Sequence, residues 1–263
     1  MIANFFQSLN EGAVDYLLIC GQATVLYGAA TFSEDIDLWV HPTQENCGRF
    51  LAALRACRAC YYKLTPPFTV ENLLRGHGFH FVLPISAEDE AFLDVMGAPP
   101  RVGEFTIAKT AAQWKETDWG RLHTIGIKDL VELKKTQRLE DYPIISKLAL
   151  AYLEQPECLR SASDFHWVLR NIFTLPELHT LFAERPAAAH ALPPEAPASL
   201  TEFAKQWRAG GDVSESVEQE VSDWMQRQIS QLQHVDRHYW RGIIAELKTL
   251  RSRGMLMPEA TAV

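Results

Sequence analysis

With 263 residues, 47% of them hydrophobic, the chain is long enough to bury one large core or two smaller ones. A net charge of −8 argues against a general nucleic-acid coat protein, while leaving room for an enzyme that holds one RNA end in a local basic patch. No run approaches the roughly 20 apolar residues of a membrane span. The opening MIANFFQSLNEGAVDY lacks a basic start and carries Glu11 and Asp15, so no signal peptide is expected and the chain reads as cytoplasmic. Five cysteines, an odd number, argue against a disulfide framework.

Taken in chain order, Tyr16–Cys20 reads as an apolar strand, followed by a glycine turn at Gly21 and a helix over Ala23–Tyr27. Gly21 permits a sharp turn and leaves room for a phosphate against the helix N-terminus; the plain alternative is an ordinary strand-to-helix turn. A second strand over Asp35–Val40 carries Asp35-Ile36-Asp37. Strand residues two apart share a face, so the two carboxylates are expected side by side, roughly 6–7 Å apart at Cα, with Ile36, Leu38 and Val40 turned into a core. Ionised carboxylates this close repel each other, and a divalent cation resolves the conflict. Oxygen-only ligands suit Mg²⁺ or Mn²⁺ rather than zinc.

An alanine-rich helix is expected over Cys47–Cys60, which makes Cys57 and Cys60 buried or half-buried thiols rather than part of a zinc site. Arg55, Arg58 and Lys63 form a basic patch or a solvated face. Gly78–Leu83 and Ala91–Met96 read as strands, separated by a polar Ser86–Glu90 turn that includes Asp89. The second holds a single acid, Asp94, within an apolar run that closes at Gly97 and Pro99-Pro100. A charge in a buried strand is costly unless paired or metal-bound, so Asp94 is a candidate third carboxylate; the alternative is an exposed place near a strand end. Arg101–Ile107 and His123–Ile127 add short strands.

A helix should follow, with Leu130, Leu133 and Gln137 on one face and Lys134, Lys135 and Arg138 in a basic strip beside it. Further helices are expected over Ile144–Leu153 and Ser163–Phe173, the latter capped by Ser163. Arg185–Ser199, rich in Pro and Ala, reads as a loop or linker. The apolar residues from Val217 to Leu250 imply one long amphipathic helix after Ser214, or two broken near His234. That stripe reads as a packing face, with a dimer or partner-protein interface as the alternative. His234 and His238, spaced i, i+4 without a third ligand, read as surface residues. The fold class is α/β (α+β): a small mixed-sheet domain over residues 1–150, then a helical region over 151–263 with the Pro/Ala-rich loop at 185–199.

The order Cys20-Gly21-Gln22-Ala23, then Thr31-Phe32-Ser33-Glu34-Asp35-Ile36-Asp37, then Asp94, resembles the active centre of the polymerase-β-like nucleotidyltransferase superfamily. The nearest look is to its bacterial abortive-infection and toxin–antitoxin branch. The resemblance covers roughly Asp15 to Leu150, with little similarity between His41 and His80, and includes the Thr124–Tyr142 segment. Two positions depart from the family pattern: Cys20 stands in place of the first glycine, and Thr31 where an arginine is common. The resemblance implies a nucleotidyltransferase domain that uses Mg²⁺ (or Mn²⁺) to move a nucleoside monophosphate from an NTP such as ATP to an acceptor hydroxyl. It implies an RNA end or a protein side chain as acceptor, a toxin or defence role and an antitoxin-type protein partner. Asp35, Asp37 and Asp94 would be catalytic and metal-holding. Gly21, Gln22, Ser33, Lys134 and Arg138 would bind nucleotide; the plain reading of the last two is solvated helix charge, with Asp141 paired to Arg138. The rival function is a non-catalytic nucleotidyltransferase-like module acting through a protein partner. Cys20 and Thr31 favour that rival, and retention of three carboxylates argues against it.

Overall fold

The computed structural model describes residues 2–85 and 89–263. Its contacts divide the chain into a sheet unit (residues up to Leu26, Ala30–Leu133 and His238–Val263) and a helical unit (Tyr27–Ala29 and Lys134–Arg237). The division differs from a boundary at residue 150: residues 134–150 group with the helices, and the last 26 residues, His238–Val263, group with the sheet.

The sheet unit runs α1 (Ile2–Glu11), β1 (Tyr16–Ile19), α2 (Cys20–Leu26), β2 (Ile36–Val40), α3 (Gln44–Ala56), β3 (Cys60–Tyr61) and α4 (Val70–Leu74). It continues with β4 (Phe79–Pro84), β5 (Glu90–Met96), α5 (Phe105–Ala111), β6 (Gln113–Thr117), β7 (Gly120–Thr124) and α6 (Ile127–Lys134). The seven strands form one mixed sheet in the order β3-β4-β5-β2-β1-β7-β6, so the fold is α/β in the α+β manner. β2 is antiparallel to β1 and parallel to β5, and β5 is antiparallel to β4.

Period-two alternation divides the central strands into two faces. Ile36, Leu38, Leu93, Val95, Phe79 and Phe81 are buried on one of them. There α1 contributes Phe6 against Tyr16, and α3 contributes Phe50 against Phe68 and Phe81. The opposite face is only partly covered. At one end Phe105 of α5 meets Trp39 edge-on at 5.4 Å and stacks on His41 at 4.8 Å, while Trp39 Nε1 donates to the Gly97 carbonyl at 2.9 Å. The outer strand β3 is flanked by the C-terminal tail, through Tyr61 N–H to Thr261 O and Ala260 N–H to Tyr61 O. That pairing occupies an edge that would otherwise present unpaired backbone groups.

Several expected elements are redrawn. Arg101–Ile107 is not a strand; Phe105 and Ala108 bury one face of α5 at helical spacing. Arg101, at φ +64, donates through its guanidinium to the carbonyls of Glu132 and Leu133, which closes the C-terminal turn of α6. α3 ends at Ala56 and Arg58 takes a left-handed φ of +55, which releases Cys60–Tyr61 to pair with β4. Cys57 thus caps α3 while Cys60 opens β3, and no disulfide joins the described residues. α6 stops at Lys134, so Lys135, Gln137 and Arg138 lie beyond it. Of the Ser86–Glu90 turn, residues 86–88 lie outside the described residues, and Glu90 opens β5.

The helical unit contains α7 (Asp141–Tyr152), α8 (Ala162–Arg170), α9 (Leu175–Glu184), α10 (Ala198–Gly210) and the first part of α11 (Glu215–Ser252). α8 is capped by Ser161 instead of Ser163: Asp164 N–H bonds Ser161 Oγ while Ser161 N–H bonds the Asp164 carboxylate, a capping box. The Pro/Ala-rich segment includes a 3₁₀ turn, Pro186–Ala189, whose Ala188 and Ala189 are buried. α11 is one unbroken helix of 38 residues that buries Val217, Val221, Met225 and Ile229. Among the described residues, no helix is long and apolar enough to cross a membrane.

Candidate active site

The chain enters the site where β1 gives way to α2. Cys20 makes that turn at φ +52, in the left-handed region that glycine adopts without strain. Gly21 follows in the first turn of α2. A Cβ built on it would lie 2.0 Å from Ser33 Oγ and 2.9 Å from Ser33 Cβ. Gln22 Nε2 donates to the Ser33 carbonyl at 2.7 Å. Gly21, Gln22 and Ser33 therefore do converge, and together they fasten the loop that leads into β2. Where a Gly21 side chain would stand, the space belongs to Ser33, so the glycine serves this close approach. Asp35 is exposed and sits one residue ahead of β2, which starts at Ile36, so it is carried by the fastened loop and not by the strand.

Asp37, by contrast, is held by strand register. It pairs with Asp94 across the parallel β2–β5 ladder, and Asp94 pairs with His80 across the antiparallel β4–β5 ladder. Directly opposed residues share a face, and neighbouring strands lie about 4.8 Å apart. Asp37, Asp94 and His80 thus form one row across three strands on the partly covered face. Asp94 is mid-strand but half-exposed, with 36% of its side chain accessible, because its face lacks the helical cover of the other. His80 Nδ1 lies 2.7 Å from Asp94 Oδ1. The partnership of His80 was not anticipated from sequence. The signal lay in the alternation of Phe79-His80-Phe81 together with the hairpin closure Pro84↔Glu90, from which counting inward pairs residue 80 with 94.

Two in-register carboxylates are an all-oxygen donor pair of the kind Mg²⁺ uses, since Mg²⁺ commonly takes one or two carboxylates and completes its shell with water and substrate phosphates. Among the described residues, no three His, Cys, Asp or Glu side chains group tightly enough to hold a metal by themselves. Two carboxylates fall short of a full ligand set, so an ion here would need its remaining positions filled by water or a phosphate ligand.

Lys134 and Arg138 belong to the helical unit. Lys134 Nζ donates to Asp141 Oδ1 at 3.1 Å, with only 15% and 7% of the two side chains accessible. Thr136 Oγ1 donates to the other Asp141 oxygen at 2.6 Å. Asp141 is thus paired with Lys134 instead of Arg138, whose side chain is exposed and whose N–H bonds Thr136 Oγ1 at 3.0 Å. His234 and His238 are exposed on α11.

No protein-family model matches the chain, and neither does any curated protein. Among solved structures, the chain is similar to the crystal structure of an antigenic nucleotidyltransferase-like protein from Paracoccidioides brasiliensis. That match covers 72% of this chain and 89% of the other, with 13% identity and a TM-score of 0.37, a likeness too slight to carry an argument about fold or activity.

Proposed function

We propose that the sheet unit carries a nucleotidyltransferase centre that moves a nucleoside monophosphate from an NTP to an acceptor hydroxyl. The observation that carries the reading is the in-register pair Asp37 and Asp94, on a partly covered sheet face, with Asp35 two residues upstream at the end of a fastened loop. Mg²⁺ or Mn²⁺ shared between the carboxylates of Asp35, Asp37 and Asp94 and the bound triphosphate would neutralise phosphate charge and lower the pKa of the acceptor hydroxyl. The β2–β5 register sets the spacing of two carboxylates. The Gly21–Ser33 contact and the Gln22 bond set the position of the third. Positioning and electrostatics carry most of the rate in this class of reaction, so fixed carboxylates are what such a fold has to supply. The family resemblance of the motifs suggests an acceptor on an RNA end or a protein side chain, in a toxin or defence setting with an antitoxin-type partner.

The test is thermal unfolding with each NTP, with and without Mg²⁺, on the wild type and Asp37→Asn. A ligand at one hundred times its Kd stabilises by about 2.7 kcal/mol, a readily measured rise in midpoint. Stabilisation by an NTP that needs Mg²⁺ and is lost in Asp37→Asn is the expected result. No response to any NTP would overturn this reading in favour of the non-catalytic module.

A further inference from the structure

We infer that His80 is a positioning residue for Asp94, and that divalent-cation binding at this centre depends on it. The inference rests on the nucleotidyltransferase reading and deepens it. A carboxylate only accepts hydrogen bonds, so the Nδ1 that lies 2.7 Å from Asp94 Oδ1 is the protonated ring nitrogen. That bond occupies one carboxylate oxygen and leaves Oδ2 for a cation. A ligating carboxylate held in this way loses rotational freedom before the cation arrives, and such supporting bonds govern metal affinity.

The histidine is itself tightly placed. Its N–H donates to the hydroxyl of buried Thr65 at 3.0 Å, its carbonyl accepts from Tyr62 N–H at 2.9 Å, and strand pairing places it directly opposite Asp94. Folding stability gives little reason for the pair, since 29% of the His80 side chain and 36% of the Asp94 side chain remain accessible. Ion pairs that exposed add little. The row has a clearer reason on the cation side. Asp37 and Asp94 are carboxylates in register on neighbouring strands, an all-oxygen pair of the kind a hard divalent cation takes.

The experiment measures Mn²⁺ affinity by electron paramagnetic resonance in the presence of a non-hydrolysable ATP analogue. The proteins are wild type, Asp37→Asn, His80→Ala, His80→Asn and His80→Gln, each checked for an unchanged unfolding midpoint without ligand. Asparagine places an amide nitrogen near the position of Nδ1, and glutamine places one near Nε2. We expect His80→Ala to weaken Mn²⁺ binding by about 10–100-fold, His80→Asn to restore most of it, and His80→Gln to restore little. Wild-type affinity in His80→Ala would overturn the inference, and so would equal losses in His80→Ala and His80→Asn. If the wild type binds no Mn²⁺ with the analogue, or Asp37→Asn binds as the wild type does, the nucleotidyltransferase reading itself fails and takes the inference with it.

Discussion

The two units use their acids differently. In the helical unit Asp141, Asp164 and Asp236 are all buried, and each is taken up by partners that folding supplies. Asp141 holds Lys134 and Thr136, Asp164 accepts from the Tyr152 hydroxyl at 2.7 Å and from Ser161 N–H, and Asp236 accepts from Gln137 N–H at 3.1 Å. In the sheet unit Asp35 is exposed, and Asp37 and Asp94 stand half-exposed opposite each other. Buried acids must be paired to exist at all, so the first set is explained by stability. Asp94 has His80 at 2.7 Å, but a pair this exposed adds little stability, so the second set calls for an explanation outside it.

The largest effect that separates the two sets is the cost of removing a charge. Asp141→Ala strands the largely covered Lys134 ammonium and is expected to cost about 3–5 kcal/mol in urea unfolding. Asp37→Asn alters a half-exposed carboxylate without changing its size and is expected to change stability by less than about 1 kcal/mol. If Asp37→Asn destabilises as much as Asp141→Ala, Asp37 is a structural clasp and the contrast between the units collapses.

Sequence reached one set of acids more readily than the other for a physical reason. Asp35 and Asp37 sit in a contiguous strand–glycine–helix–strand pattern, and Asp94 stands alone in an apolar run, so local pattern singles them out, although Asp35 falls one residue short of the strand expected to carry it. The clasps of the helical unit are not periodic. Lys134 meets Asp141 only because α6 ends at Lys134 and the chain turns back through Thr136, and no local pattern encodes that break. His80 lies between these cases, since its alternation was legible but its partner depended on hairpin register. Phe105 and Ala108 share a face of α5 at a spacing that a seven-residue stretch barely displays, so Arg101–Ile107, which overlaps its first turn, reads as a strand. For α8 the expected cap is Ser163, but the Asp at the third helical position closes a capping box with Ser161 and so starts the helix there.

Within the sheet unit the comparison sharpens between the strand-held Asp37 and the loop-held Asp35. Gly21→Ala drives a methyl into Ser33, and overpacking of this kind costs about 1–3 kcal/mol. If the contact positions Asp35, the same variant loses Mg²⁺-dependent NTP binding while the β2–β5 register stays intact. Adding Ser33→Gly removes both clashing atoms and should recover most of the stability, a coupling that a double-mutant cycle in urea reads directly. Additive losses would show that Gly21 matters for a reason other than Ser33.

The smallest effect concerns the residue that departs most plainly from the resembling motif. Cys20 holds φ +52 where a glycine is expected, and its carbonyl accepts from Thr24 Oγ1 at 2.7 Å, so the turn is built without glycine's freedom. A non-glycine residue in the left-handed region is strained by about 1–2 kcal/mol. Glycine relieves that strain but returns about 0.5–1 kcal/mol through the greater freedom of the unfolded chain. Cys20→Gly should therefore be more stable by at most about 1.5 kcal/mol, a modest rise in unfolding midpoint. Cys20→Ala keeps the Cβ and should gain nothing, which separates backbone strain from any contribution of the thiol. If both variants lose stability alike, the side chain of Cys20 supports the turn, and the departure from glycine is a compensated feature of this site instead of a tolerated strain.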